Sequence, residues 1–150
     1  MKMWELTSVV LSALVAGMFY GPWAALSRSM STFEPEVFLA IVDRMNRNMA
    51  PVMTVLMPAS LLSILPVLLY SYGKQPRTFY LFLTGLFLFI VALLVTILIE
   101  VPIVEEIMTW KISTLPSNWK QLRDRWQAFH VIRVIAGFAG LVLLLFGAIF

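Results

Sequence analysis

The sequence predicts an all-α integral membrane protein, a four-helix bundle in which two long, partly helical loops cap one side. Two observations predict this fold. Hydrophobic residues make up 61% of the 150 residues and charged residues only 13%, with a mean hydropathy of +0.90, whereas soluble domains carry about 25% charged residues. In addition, four long runs contain no charged residue at all, which is typical of helices that cross a membrane.

The four uncharged runs define the predicted spans. A helix needs roughly 20 apolar residues to cross a hydrocarbon core about 30 Å thick. The fourth run is the shortest, so its span is extended back through His130 into the charged segment before it. A signal peptide is the alternative interpretation of the first run, although the run is longer than a signal-peptide core. We therefore predict one transmembrane domain over residues 1–150, with spans at 4–27, 48–72, 78–100 and 126–149.

The connections between the spans are unequal in length. The second and third spans are joined only by YGKQPR, so the two long connections lie on the same side of the membrane. In the first long connection, Phe33, Val37, Phe38 and Ile41 follow helical spacing. This pattern predicts a short amphipathic helix that lies against the membrane surface before the second span begins.

The composition excludes several classes of function. The chain has no cysteine, so disulfides, thiolate chemistry and cysteine-ligated metal sites are excluded. The net charge of +3 reflects a small excess of Lys and Arg near the membrane, not the clustered basic stripe of a nucleic-acid-binding protein. The expected partners are the lipid bilayer and a lipophilic small molecule, with no nucleic acid.

Small residues predict where the helices pack, because spans in lipid associate through close contacts between small residues. Gly17 and Gly21 in the first span follow the GxxxG spacing, and Gly137 and Gly140 in the last span lie on the helical face that continues from Arg133. We expect these surfaces to pack within the bundle, with an oligomer as the alternative. The prolines of the second span would kink it and leave a cavity under the polar cap; these are Pro51, Pro58 and Pro66.

One helical face carries the only histidine. Trp126, Phe129, His130 and Arg133 are spaced at i, i+3, i+4 and i+7. A charge such as Arg133 at the start of a span is costly unless it is paired. Three acidic residues at the end of the third span could form an ion pair with it, on the same side of the membrane: Glu100, Glu105 and Glu106.

The functional interpretation of this face is a polar pocket under the two long loops. Histidine is the side-chain type that changes charge near neutral pH, so His130 is the candidate general base. The alternative is structural, with His130 and Arg133 tying the loops to the bundle. His130 and the three glutamates could together bind one metal ion, but no Glu-x-x-His pair is present. We predict neither a metal nor a cofactor, and haem held by His130 is the runner-up.

Three motifs resemble the anthrone oxygenase-like family of small four-helix membrane proteins. They are MNRNMAPVM entering the second span, VP closing the third, and W-x6-W-x3-H-x2-R entering the fourth. Fungal members of this family oxidise an anthrone to an anthraquinone in polyketide pathways. Relatives often carry asparagine where this chain has Val104 and Phe129, which weakens the transfer of activity more than that of fold.

The resemblance implies a membrane-embedded, cofactor-independent oxygenase that acts on an anthrone- or quinone-like aromatic. His130 would be the base, and Arg133 or Arg47 would stabilise the enolate oxygen. The predicted substrate-binding residues are Trp119, Trp126, Asn46 and Phe129. Two other functions stay open: a non-catalytic membrane subunit that docks a partner on its polar cap, and a bundle that binds haem or a small lipophile.

The charge distribution and the family resemblance indicate opposite orientations in the membrane. The long-loop side carries most of the Lys and Arg residues, so the positive-inside rule would place that side in the cytoplasm. The resemblance implies the opposite orientation, because relatives have an arginine-rich turn between the second and third spans. We expect cytoplasmic termini in a multi-pass membrane protein.

Overall fold

The computed structural model describes residues 1–150 as five α-helices with no strand. Two π-helical turns extend the helices, so that four continuous helical segments result. By length and composition all four can cross a membrane. The all-α fold class of four apolar spans is therefore confirmed. The helices are α1 (Lys2–Pro22), α2 (Pro35–Ser71), α3 (Pro76–Val95), α4 (Val101–Met108) and α5 (Trp119–Ile149), and the π-helical turns are Trp23–Ser27 and Thr96–Glu100.

The helix α2 begins thirteen residues before the predicted span at residue 48, at Pro35. The predicted amphipathic segment is thus not a separate surface helix for most of its length, but forms the first turns of α2. Pro35 suits the first helical position because its missing N–H would have no partner there. The prolines at 51, 58 and 66 lie inside α2, which continues through all three. The first long connection is correspondingly shorter than predicted.

The four long segments are arranged in a ring. The helix α1 packs against α2 and α5, and α3 packs against the same two helices, so α2 and α5 lie diagonally opposite each other. Both chain termini and the tight turn between α2 and α3 lie at one end of the bundle, where Lys2 Nζ donates a 2.9 Å hydrogen bond to the carbonyl of Ala148. The two long connections lie at the other end.

Glycine packing is closest between α3 and α5. A Cβ at Gly140 would lie 3.0 Å from the ring of Phe89 and 3.2 Å from the carbonyl oxygen of Gly85. Gly137 is similarly close to Phe19 on α1. By contrast, a Cβ at Gly17 or Gly21 would meet nothing within 4 Å. The prediction that these two glycines pack within the bundle is wrong, because they lie on the outer face of α1.

A cluster of large side chains closes the end of the bundle that carries the long connections. Phe38 and Val42 at the start of α2 contact two tryptophans at the start of α5 and two isoleucines on α4. The ring centroids of Phe38 and Trp119 are 5.6 Å apart. We call this group the cap cluster, and its members are Met30, Phe38, Val42, Ile103, Ile107, Trp119 and Trp126. It covers the place where the Thr96–Glu100 turn faces α5.

Candidate functional site

The turn Thr96–Glu100 brings an acidic side chain into the bundle. This π-helical turn ends just before Pro102. A proline has no N–H to donate and its ring crowds the carbonyl four residues earlier, so the carbonyl of Leu98, within this turn, receives no hydrogen bond from Pro102. The wider turn changes the direction in which neighbouring side chains point, and such turns are frequent at functional sites. Glu100 is the last residue of this turn and is buried, with 4% of its surface exposed.

Glu100 and Arg133 form a buried ion pair between this turn and α5. Nη2 of Arg133 lies 2.7 Å from Oε2 of Glu100, and Nη1 donates a 3.2 Å hydrogen bond to Oγ1 of Thr96. The guanidinium carbon also lies 4.6 Å from the ring centroid of Phe19 on α1. Charges inside a membrane protein are expensive unless paired, and this arrangement pairs both charges inside the bundle.

His130 is the third member of the cluster. Nη2 of Arg133 lies 2.8 Å from Nδ1 of His130. A guanidinium has donors and no acceptor, so Nδ1 must be the acceptor in this hydrogen bond. The ring is then neutral and its hydrogen is on Nε2, because the bond made by one ring nitrogen fixes the state of the other. Oε1 of Glu100 lies 3.7 Å from Nδ1 and has no hydrogen-bond partner.

A small cavity borders His130 at the mouth of the bundle. Its volume is about 10 Å³, which is room for about one water molecule. Nε2 of His130 and the side-chain nitrogen of Gln127 are both buried, and neither has a partner among the groups of the protein. The cavity is lined by Pro22, Ser27, Met30, Met45, Trp126, Gln127 and His130. Two unpaired hydrogen-bond donors therefore belong to the lining of one otherwise mainly apolar cavity.

The aromatic residues predicted as the walls of a substrate site have different positions. Trp126 lines the cavity, and its ring centroid lies 6.3 Å from that of His130. Trp119 is buried in the cap cluster and does not line the cavity. Phe129 is half-buried, and the guanidinium carbon of Arg125 lies 5.9 Å from its ring centroid. Of these three residues, only Trp126 is placed beside the cavity.

The predicted site residues on α2 lie outside the Glu100–His130–Arg133 cluster. Nδ2 of Asn46 donates a 3.1 Å hydrogen bond to the sulfur of Met108. The Arg47 side chain is 71% exposed and forms a 2.9 Å ion pair with Asp43. Neither residue lines the cavity.

The two other predicted acidic residues also lie apart from the cluster. Glu105 and Glu106 are exposed on α4 and form no ion pair. No group of three His, Asp or Glu side chains is arranged so that it could hold a metal ion. Glu100 is therefore the member of the predicted acidic set that reaches Arg133.

Three residues that contribute to the site were not predicted from the sequence: Gln127, Thr96 and Phe19. Gln127 precedes His130 by three residues, and Thr96 precedes Glu100 by four. Both spacings place the two residues on one helical face, so this signal could have indicated them. Phe19 had no such signal, because it reaches Arg133 from another helix.

Comparison with known proteins finds one family. The family model described as anthrone oxygenase matches residues 45–143, which is about two thirds of the chain. The matched region includes most of α2, all of α3 and α4, and the greater part of α5, so it contains Glu100, His130 and Arg133. No curated protein and no solved structure matches the chain.

Proposed function

Because the chain belongs to the anthrone oxygenase family, we propose that it oxygenates a lipophilic aromatic ketone of the anthrone class within the membrane. The observation that carries this proposal is the buried ion pair of Glu100 and Arg133 beside a neutral His130 that borders a cavity. Buried ionisable groups within membrane spans mark functional sites by default. A lipophilic substrate can reach such a site from the bilayer.

The proposed reaction takes place at the methylene carbon of the anthrone. A base removes one methylene proton, and the electron pair spreads over the ring system onto the ketone oxygen as an enolate. The enolate transfers electrons to dioxygen and forms a carbon–oxygen bond, which gives a hydroperoxide after protonation. Loss of water breaks the oxygen–oxygen bond and the second carbon–hydrogen bond. One oxygen atom of dioxygen is thus retained as the new quinone carbonyl, and the other leaves as water.

We assign the removal of the proton to Glu100 and not to His130, which the sequence predicted as the base. An imidazole that accepts a hydrogen bond at Nδ1 carries its hydrogen on Nε2, so it has no free lone pair to offer to a substrate proton. Oε1 of Glu100 is buried, has no hydrogen-bond partner and lies 3.7 Å from Nδ1 of the imidazole. Glu100 does not line the cavity, so the side-chain movement that admits the substrate must also bring its methylene carbon to Oε1. A glutamate base next to a neutral imidazole that polarises a carbonyl is a known catalytic pairing.

Arg133 has a supporting role in this proposal. Its ion pair with Glu100 and its hydrogen bonds to His130 and Thr96 fix the positions of both catalytic side chains. Arg47, the other arginine predicted to stabilise the enolate, is exposed and paired with Asp43, so we give it no role. An anthrone is far larger than the cavity of about 10 Å³, and binding therefore requires the side chains around it to move. Met30 and Met45 in the lining are unbranched and adaptable.

The function is tested by turnover of anthrone in detergent-purified protein. We would measure oxygen consumption and anthraquinone formation for the wild type, His130→Gln and His130→Asn. The glutamine amide nitrogen replaces Nε2–H as a donor, whereas the asparagine amide cannot reach that position. We expect substantial turnover for His130→Gln and a loss of about 10²–10³-fold for His130→Asn, as for removal of one donor to an oxyanion.

Three other results would change the proposal. Equal loss in both variants would return the role of base to His130. A wild-type rate no higher than that of the detergent solution alone would reject the oxygenase function. A Soret band in the absorption spectrum that disappears in His130→Ala would make His130 a haem ligand. Unfolding temperatures of all variants, measured alongside, separate loss of function from loss of fold.

We also propose that both termini face the cytoplasm, as the family resemblance implies. The end of the bundle with the termini carries Lys74 and Arg77, but the opposite end carries more Lys and Arg residues, so this proposal rests on the family resemblance and not on the positive-inside rule. A reporter that is active only in the cytoplasm, fused after Phe150, tests this placement. Activity of a periplasmic or luminal reporter at the same position would reverse it.

A further inference from the structure

We propose that Gln127 and His130 together bind the ketone oxygen of the substrate and hold it more tightly once it becomes an enolate. This inference rests on the proposed function and adds Gln127 to the residues that contact the substrate. It also assigns the small cavity a specific purpose. The cavity receives one oxygen atom, and the fused rings occupy space that opens beside it.

The two side chains are placed to act on one atom. Gln127 and His130 are three residues apart on α5, so they lie on the same face of the helix. Both contribute to the lining of the same cavity. Nε2 of His130 and the amide nitrogen of Gln127 are each fully buried and have no partner in the protein. His130 as a whole is only 5% exposed.

The polarity of the pair determines the chemistry of the ligand. The bond from Arg133 to Nδ1 leaves Nε2 of His130 as a donor, and the amide nitrogen of Gln127 is also a donor. A buried donor without a partner costs about 1–3 kcal/mol, so two of them at one cavity favour an acceptor that can take two hydrogen bonds. A carbonyl oxygen has two lone pairs and meets this requirement, as does the single water molecule for which the cavity has room, whereas a cation or an ammonium group does not.

The surroundings of the pair favour an oxygen that belongs to a lipophilic molecule. Pro22, Met30, Met45 and Trp126 supply most of the remaining lining. These side chains provide a poorly polar environment, in which a hydrogen bond is electrostatically stronger than in water. Hydrogen bonds to a charged acceptor are also stronger than those to a neutral one. The pair therefore stabilises the enolate more than the ketone, which favours removal of the methylene proton.

The experiment measures binding of the enolate without its consumption. Anthrone is added to the purified protein under strictly anaerobic conditions, and the red-shifted absorption of the bound enolate is titrated. The variants are Gln127→Met, which removes the donor at similar length, and Gln127→Glu, which replaces it with an acceptor. Gln121→Glu is the matched control, because Gln121 is exposed on the same helix. Turnover in the presence of oxygen is measured on the same samples.

We expect enolate binding to weaken about 10- to 100-fold in Gln127→Met, the range for loss of one hydrogen bond to a charged group. Gln127→Glu should be weaker still, because its carboxylate repels the enolate, and Gln121→Glu should match the wild type. The unfolding temperature of each Gln127 variant shows whether it is folded. Because the two variants differ in polarity, the proposal can still be tested with one of them if the other does not fold.

Two outcomes would overturn the proposal, and they are distinguishable. Wild-type turnover together with unchanged enolate binding in both Gln127 variants would reject the role of Gln127 and leave the oxygenase function intact. A wild-type protein that neither produces the enolate band nor consumes oxygen with anthrone would reject the oxygenase function, and this inference with it.

Discussion

Nη2 of Arg133 lies 2.8 Å from Nδ1 of His130, and the same nitrogen lies 2.7 Å from Oε2 of Glu100. A single guanidinium nitrogen thus connects a carboxylate from the Thr96–Glu100 turn with an imidazole on α5. Because arginine stays protonated and only donates, this contact fixes the hydrogen of the imidazole on Nε2. The proton arrangement of the whole cluster therefore depends on Arg133.

Substitutions of Glu100 and Arg133 should have strongly coupled effects on the free energy of unfolding. Each single substitution, Glu100→Gln or Arg133→Gln, leaves an uncompensated buried charge and should lower the free energy of unfolding by about 3–5 kcal/mol. The double variant buries two neutral amides, and we expect it to be less destabilised than the sum of the two. Reversible unfolding in mixed micelles measures all four proteins. If the loss of free energy of unfolding in the double variant equalled the sum of the two single losses, the two charges would not stabilise each other.

The two arginines predicted from the sequence should behave differently in turnover. Arg47→Ala removes an exposed pair with Asp43, and such pairs contribute about 0–1 kcal/mol. We expect its anthrone turnover and its stability to stay close to those of the wild type. Arg133→Ala should have a lower anthrone turnover and a lower free energy of unfolding than the wild type. A large loss of turnover in a folded Arg47→Ala protein would restore the predicted role of Arg47 at the enolate oxygen.

The fold was predictable because its main signals are local. Uncharged runs show where the chain can be in lipid, and the helical spacing of Trp126, His130 and Arg133 shows that they share a face. The length of α2 was underestimated because Arg44 and Arg47 interrupt the uncharged run. Charged residues end a predicted span, but they do not end a helix that extends beyond the membrane.

The site was predictable only in part, because its geometry depends on contacts between distant segments. Glu100, Glu105 and Glu106 are equivalent candidates in the sequence, whereas in the structure only Glu100, the last residue of the π-helical turn, is buried. The tautomer of His130 depends on the 2.8 Å contact with Arg133, which the spacing of the two residues does not reveal. The cavity likewise requires Met30, which comes from the loop after α1.

Met30 should control access to the cavity. It is 3% exposed, belongs to the cap cluster and lines the cavity beside His130. Met30→Ala should lower the free energy of unfolding by about 2–5 kcal/mol, as for other buried methionines, and should lower the KM for anthrone by enlarging the space. Met3→Ala, at an exposed position on α1, is the control. An unchanged KM in a folded Met30→Ala protein would mean that the substrate reaches His130 by another path.

The glycines of α5 and α1 should differ sharply in their tolerance of a side chain. A Cβ at Gly140 would lie 3.0 Å from the Phe89 ring and 3.2 Å from the carbonyl oxygen of Gly85, and both distances are tighter than ordinary contacts, so a full leucine side chain does not fit unless α3 moves away. Gly140→Leu should therefore separate α3 from α5 and destabilise the bundle by about 1–3 kcal/mol or more, the range for overpacking.

Gly17→Leu is the matched control, because a Cβ at Gly17 would meet nothing within 4 Å. The leucine would lie on the outer face of α1, and we expect the protein to unfold at the wild-type temperature. Unfolding in micelles measures both variants. Equal destabilisation by the two substitutions would contradict the outward position of Gly17, and equal tolerance would contradict the close packing of α3 on α5.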